Sequence, residues 1–172
     1  IITHPHSDHT GALKQIKKHI KIKHTITGEE VSRGDIIALD PALCVKVLNP
    51  DIGDKDSVND DSIVLKITYT NVSFLFMGDA GFSTEKELLK SKYSIDSDIL
   101  KVGHHGSKHS SSKAFIRDVS PDISIIEVGK GNMYKHPDKT IIRALEKVSY
   151  VYRTDQDGDI AITTDGNDYS KI

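Results

Sequence analysis

Apolar residues change period several times along the chain, and each period predicts an element. Leu13, Ile16 and Ile20 recur at helical spacing among Lys14, Lys17 and Lys18, so residues 10–20 read as a short amphipathic helix. Residues 22–26 and 43–48 are short β-like runs, with turns at Gly28 and Gly34. Residues 49–61, rich in Asp, Asn, Gly and Pro, read as a loop. Ile63, Leu65, Ile67 and Tyr69 then alternate with more polar partners. A continuous apolar run, residues 72–77, ends in Gly78-Asp79. The two segments predict a hairpin with a buried second strand.

Thr84 and Glu87 have capping-box spacing ahead of a helix that carries Leu88 and Leu89. Residues 98–103 predict a strand running into His104-His105-Gly106-Ser107. Ser110, Ser111 and Ser112 precede a helix bearing Phe115, Ile116 and Val119. A buried strand at 123–128, a loop at 129–138 holding His136, and a helix at 140–148 follow. Strands at 150–153 and 159–163, joined at Asp157-Gly158, predict a closing hairpin. Strands alternating with helices indicate a layered α/β fold. With no repeat or linker, residues 1–172 read as one domain.

Composition narrows this little. Hydrophobic residues make up 37% and charged residues 28% of 172 positions, as in an ordinary globular protein. The formal net charge of -2 announces no nucleic-acid or membrane partner, so any polyanion must be held by a local site. Cys44 is the single cysteine, which excludes an intrachain disulfide; its apolar neighbours read it as a small core residue. No apolar run approaches the ~20 residues that span a bilayer, and no signal peptide is read. The chain starts with Ile1 inside an apparent strand, and is expected to be a fragment lacking its N-terminal part.

The chemistry begins at residue 4. His4, His6, Asp8 and His9 fall within six consecutive residues. Imidazole and carboxylate are the ligands that borderline divalent ions such as zinc and manganese take. On an extended backbone His4 and His6 point the same way and reach one ion. Asp8 and His9, beyond the strand end, turn toward a neighbouring point. The spacing predicts two adjacent metal positions. Asp79 ends a buried strand, where an unpaired carboxylate is costly; its two oxygens suit it to bridge two ions.

Adjacent residues leaving a strand point opposite ways, so one of His104 and His105 should bind metal. The other would hydrogen-bond substrate or protonate a leaving group. His104 is assigned to the metal, and His105, with Asp8, to catalysis. His136 has three readings, a last ligand, a proton donor or a solvated loop residue, and is carried as a catalytic candidate. Ser107, Lys108, Ser110, Ser111 and Ser112 surround a predicted helix N-terminus, a place to seat a phosphate; helix capping is the simpler role for one of the serines.

These residues resemble the metallo-β-lactamase superfamily, whose His-x-His-x-Asp-His signature is matched by His4, His6, Asp8 and His9, with a later bridging aspartate at Asp79. Residues 59–65, 74–79, 100–107, 128–137 and 152–158 are further similar, in order, to the C-terminal domain of the ComEC-type competence proteins. The resemblance implies an αββα sandwich, with its early strands missing from this chain. It implies two divalent ions, zinc or manganese: His4 and His6 on the first, Asp8 and His9 on the second, Asp79 on both. It also implies a metal-dependent phosphodiesterase or nuclease acting on single-stranded DNA. A membrane channel domain would be its partner in a longer, membrane-associated protein. Asn59, Asp60 and Asp61 stand where many members carry a further histidine, which favours manganese over zinc. Two alternatives remain: a standalone soluble hydrolase of a small phosphoester, lactone or thioester, and a non-catalytic DNA-handling module.

Overall fold

The computed structural model describes residues 1–51 and 57–172; positions 52–56 of the expected 49–61 loop lie outside the described residues. In chain order the elements are α1 (Ser7–Thr10), α2 (Leu13–His19), β1 (Ile36–Ile37), β2 (Leu43–Asn49), β3 (Val64–Tyr69) and β4 (Val72–Phe76). Then come α3 (Phe82–Lys90), β5 (Ile99–Lys101), α4 (Lys113–Val119), β6 (Ile123–Ile126), α5 (Lys139–Leu145), β7 (Tyr150–Arg153), α6 (Thr154–Asp157), β8 (Ile162–Thr164) and β9 (Tyr169–Lys171).

Strands β1 to β7 form one mixed sheet in sequence order. The β1–β4 pairs are antiparallel, joined without a crossover helix; β4–β7 are parallel, because α3, α4 and α5 each carry the chain back across the sheet. The period-two pattern assigns the faces. Leu75, Leu100, Val102 and Ile126 point at the helices and pack with Leu88, Phe115, Ile116, Val119, Ile141 and Leu145. On the other face, Val72, Ile99 and Ile123 are covered by Ile162 and Tyr169 of the β8–β9 hairpin. Val45, Val47, Ile63 and Leu65 make a smaller cluster toward the β1 edge. Among the described residues no helix is long and apolar enough to cross a membrane.

Several expectations change. Helix α2 is shorter than residues 10–20 and buries none of its residues; Ile16 and Ile20 are exposed. Residues 22–26 form no strand. The capping box is not formed: α3 starts from Gly81, Thr84 Oγ1 donates to Asp60, and Glu87 pairs with Arg33. The closing hairpin is replaced. Strand β7 extends the parallel sheet beside β6, Asp157-Gly158 ends the helical turn α6, and β8 pairs with β9 instead. Cys44 is exposed, since alternation on β2 sends Val45 and Val47 inward.

Candidate metal centre

The site forms where β4 ends. Gly78 has φ +54, and a Cβ there would lie 2.9 Å from Ser62 Cβ and 3.1 Å from Thr3 Cβ. Only glycine makes this turn at so close an approach, and it delivers Asp79, 3% exposed, beneath the N-terminal segment. That segment is held to the residue preceding β3 by the bond from Ile63 N to Thr3 O (2.9 Å). It buries His4, whose Nδ1 meets Ser62 Oγ at 3.3 Å. One helical turn, α1, then swings Asp8 and His9 round to the same carboxylate.

The two oxygens of Asp79 face two groups of side chains. Oδ2 lies 3.7 Å from His4 Nε2, which is 3.1 Å from His6 Nδ1. Oδ1 lies 3.2 Å from His9 Nε2 and 3.5 Å from His105 Nε2; His105 Nε2 is also 3.4 Å from Asp8 Oδ2. Each group, His4–His6–Asp79 and Asp8–His9–Asp79–His105, has ligand atoms within 4.8 Å of one another. His9 Nε2, His105 Nε2 and Asp79 Oδ1 are buried without a hydrogen-bond partner. Three unpartnered polar atoms this close together would be costly unless a cation meets them all. The mixed nitrogen and oxygen donors suit zinc or manganese. Two His/Asp groups capable of coordinating metal are therefore present, with Asp79 common to both.

Charge follows the packing. Burial would raise the Asp79 carboxyl, but His105, His9 and His104 outweigh it and hold it below the carboxylate range. Asp79 raises His105 against its burial. Burial and His9 push His4 down to about 4. His105 Nδ1 lies 2.7 Å from the carbonyl of Glu127, which only accepts, so Nδ1 carries the hydrogen and Nε2 faces the cluster.

The geometry distinguishes the two histidines of the pair differently from the expected assignment. His105, not His104, joins the group able to hold an ion. Both residues adopt left-handed backbone (φ 48 and 52), which a simple strand end does not anticipate. The turn sends His105 toward Asp8 and Asp79 and His104 toward Asn59, 3.5 Å from its Nδ2. His136 stands beyond His104, ring centroids 5.8 Å apart, outside both groups. Burial and neighbouring histidines lower His104 and His136 alike.

The serines of the expected phosphate seat have hydrogen-bond partners within the protein. Ser107, Ser110 and Ser111 are buried. Ser110 Oγ bonds the carbonyls of Gly103 and Ser107, and Ser107 Oγ meets His109 N at 3.3 Å. Ser112 caps α4 by accepting from Phe115 N. The backbone N–H groups of Ser111 and Ser112 are already met by buried Glu85, which supplies the anion from within the protein. Of the five residues, Lys108 alone is exposed.

Pattern reading missed Glu85, a charged residue on the buried face of a mixed helix, and Tyr134, an aromatic two positions before His136. Tyr134 and His136 join Asp8, Asp79, His104 and His105 around a cleft of about 330 Å³. A larger cavity, about 600 Å³, lies behind His4 between Thr27, Pro50 and Val58. Among the described residues of its lining only His4 belongs to a metal-ligating group, so size does not identify the reactive cleft.

A family model described as "Metallo-beta-lactamase superfamily" matches residues 1–129. ComE operon protein 3 of Bacillus subtilis is 34% identical across 93% of this chain and 24% of its own length. Recombination protein 2 of Haemophilus influenzae is 29% identical across 86% of this chain and 20% of its own. Competence protein ComA of Neisseria gonorrhoeae is 36% identical across 48% and 12%. The chain thus spans a quarter or less of these curated relatives' length. Two solved structures share its fold: a protein from Parabacteroides distasonis (TM-score 0.59, 16% identity, 90% of this chain and 74% of that one) and CmlA β-hydroxylase (TM-score 0.57, 14% identity, 88% and 42%).

Proposed function

The chain belongs to the metallo-β-lactamase superfamily, and from that premise we propose that it is a metal-dependent phosphodiesterase acting on DNA, the nuclease module of a ComEC-type competence protein. The observation that carries the hydrolase part is Asp79, whose two oxygens each face a separate group of metal-ligating side chains. The competence-protein relatives support nucleic acid as substrate.

When bound, two divalent ions, zinc or manganese, would lower the pKa of a water and polarise a phosphoryl oxygen. His4, His6, Asp8, His9 and His105 would hold them, with Asp79 shared. Asp8, exposed at the mouth of the second group, orients the attacking water. His104 and His136 present neutral rings to the cleft, each able to donate through one nitrogen and accept through the other. They steady the phosphate and the departing oxygen. Lys108 supplies an exposed cation for a neighbouring phosphate.

On the same reading, β8–β9 belongs to the second sheet of an αββα sandwich, and a membrane channel domain elsewhere in a longer protein would be the partner that ties this module to a membrane. The test uses single-stranded DNA, bis-p-nitrophenyl phosphate and a lactone, each with manganese or zinc. Both phosphodiesters should be cleaved and the lactone spared, and His6→Ala should lose cleavage. Undiminished turnover in His6→Ala, or hydrolysis of the lactone alone, refutes the proposal.

A further inference from the structure

The loop between β6 and α5 ends in an arrangement that metal ligation does not use. Tyr134 is 72% exposed, yet it lines the cleft that holds Asp8, Asp79 and His105. Its ring is stacked on His136, with centroids 5.8 Å apart and planes within 17°. His136 in turn meets His104 edge-on. The loop carrying the stack is clamped. Asn132 Nδ2 donates to the carbonyls of Gly129 and His136, and Asn132 Oδ1 accepts from His136 N. Asp138 N donates to Gly106 O, tying the loop to the turn that presents His105.

An aromatic ring on a clamped loop, offset-stacked against an imidazole and with most of its surface in water, at the rim of the cleft is placed to stack. Lys130 and Lys135 are exposed on the same loop. We propose that Tyr134, backed by His136, is a stacking platform for an unpaired nucleobase, and that the adjoining phosphodiester lies over Asp8, Asp79 and His105. The proposal rests on the phosphodiesterase reading and deepens it by assigning the residue that would recognise an unpaired base. In a duplex each base is already stacked on its neighbours and has no free face for the ring. Aromatic–base stacking tolerates any sequence, because every base has a π-face.

The test compares binding of two fluorescein-labelled decamers, one of thymidine and one of abasic residues, by anisotropy with calcium present. The two share their phosphates and differ in bases. The intact chain should prefer the thymidine decamer by roughly 5- to 100-fold. Tyr134→Ala should collapse that ratio toward one, and Tyr134→Phe should keep it. The platform is overturned if the intact chain does not distinguish the decamers, or if Tyr134→Ala keeps the full ratio. Cleavage of the same decamers with manganese is read separately. A binding preference without cleavage leaves the platform standing and removes the nuclease reading; cleavage with equal binding does the reverse.

Discussion

Asp79→Asn tests the shared carboxylate with almost no change of shape. Oδ2 of Asp79 is 3.7 Å from His4 Nε2, and Oδ1 is 3.2 Å from His9 Nε2 and 3.5 Å from His105 Nε2. Asparagine keeps one oxygen and replaces the other with an NH2, which has no lone pair for a metal. The variant can therefore complete one group, not both. Removing a residue that only hydrogen-bonds a ligand costs ~10–100-fold in metal affinity. Losing a ligand atom itself should exceed that range, so the weaker position should lose more than about 100-fold, or about 2.7 kcal/mol. The fold itself should survive, because Asp79 N still donates to Ser62 Oγ and the new amide can donate to a neighbouring imidazole. Metal content after dialysis against defined free zinc or manganese should fall from two ions per chain to one. In metal-free protein the sign of the pH effect is fixed by the depressed Asp79 carboxyl. Its contribution to stability is present above the ordinary carboxylate pKa and lost as pH falls through the lower folded value. The denaturation curves of the two proteins should accordingly converge in acid. Retention of two ions by Asp79→Asn, with affinities within about threefold of the parent (RT ln 3 is well under 1 kcal/mol), would sink the bridging assignment.

Two further substitutions separate roles that neighbouring residues could share. His105→Ala should lose one bound ion, whereas His104→Ala should keep both and lose turnover; equal metal loss in the two variants reverses the assignment. Glu85→Ala strips the acceptor from the Ser111 and Ser112 N–H groups and should destabilise by about 3 kcal/mol. That corresponds to a fall of roughly 6–12 °C in Tm for a chain of this size, and a urea titration giving less than about 1 kcal/mol rejects the clamp. Burial raises the Glu85 carboxyl against its hydrogen bonds, so the folded state holds this proton to higher pH than the unfolded chain. Stability should decline as pH rises above the ordinary glutamate value, and Glu85→Gln should remove that slope.

How much of the site was legible depends on the range over which each residue acts. His4, His6, Asp8 and His9 are local: an extended stretch followed by one helical turn places all four, and their chemistry needs little else. Asp79 was legible through energetics, since a carboxylate at the end of a buried strand requires compensation. The choice between His104 and His105 was not legible. It turns on two successive left-handed residues, and the contacts that hold them, His104 N to Gly78 O and His105 Nδ1 to Glu127 O, come from distant parts of the chain.

The serine tract shows why a local pattern misleads even when the element is right. Helix α4 starts where Ser110, Ser111 and Ser112 indicate, and its N–H groups do attract an anion. The anion is Glu85, brought there by α3 packing beside α4. Helical period on residues 82–90 marks Leu88 as inward, yet it is equally satisfied by an inward Glu85 that finds two donors across the interface. The same limit applies to α2, whose apolar spacing is correct and whose Ile16 and Ile20 nonetheless lie in water. Periodicity reports which face of an element is distinctive, not what meets that face. A catalytic cleft is made of such meetings, so its ligands are readable where they are consecutive. Where they are contributed across the fold, as with His105, Glu85 and Tyr134, the residue type is visible in the sequence and its role waits on the partner.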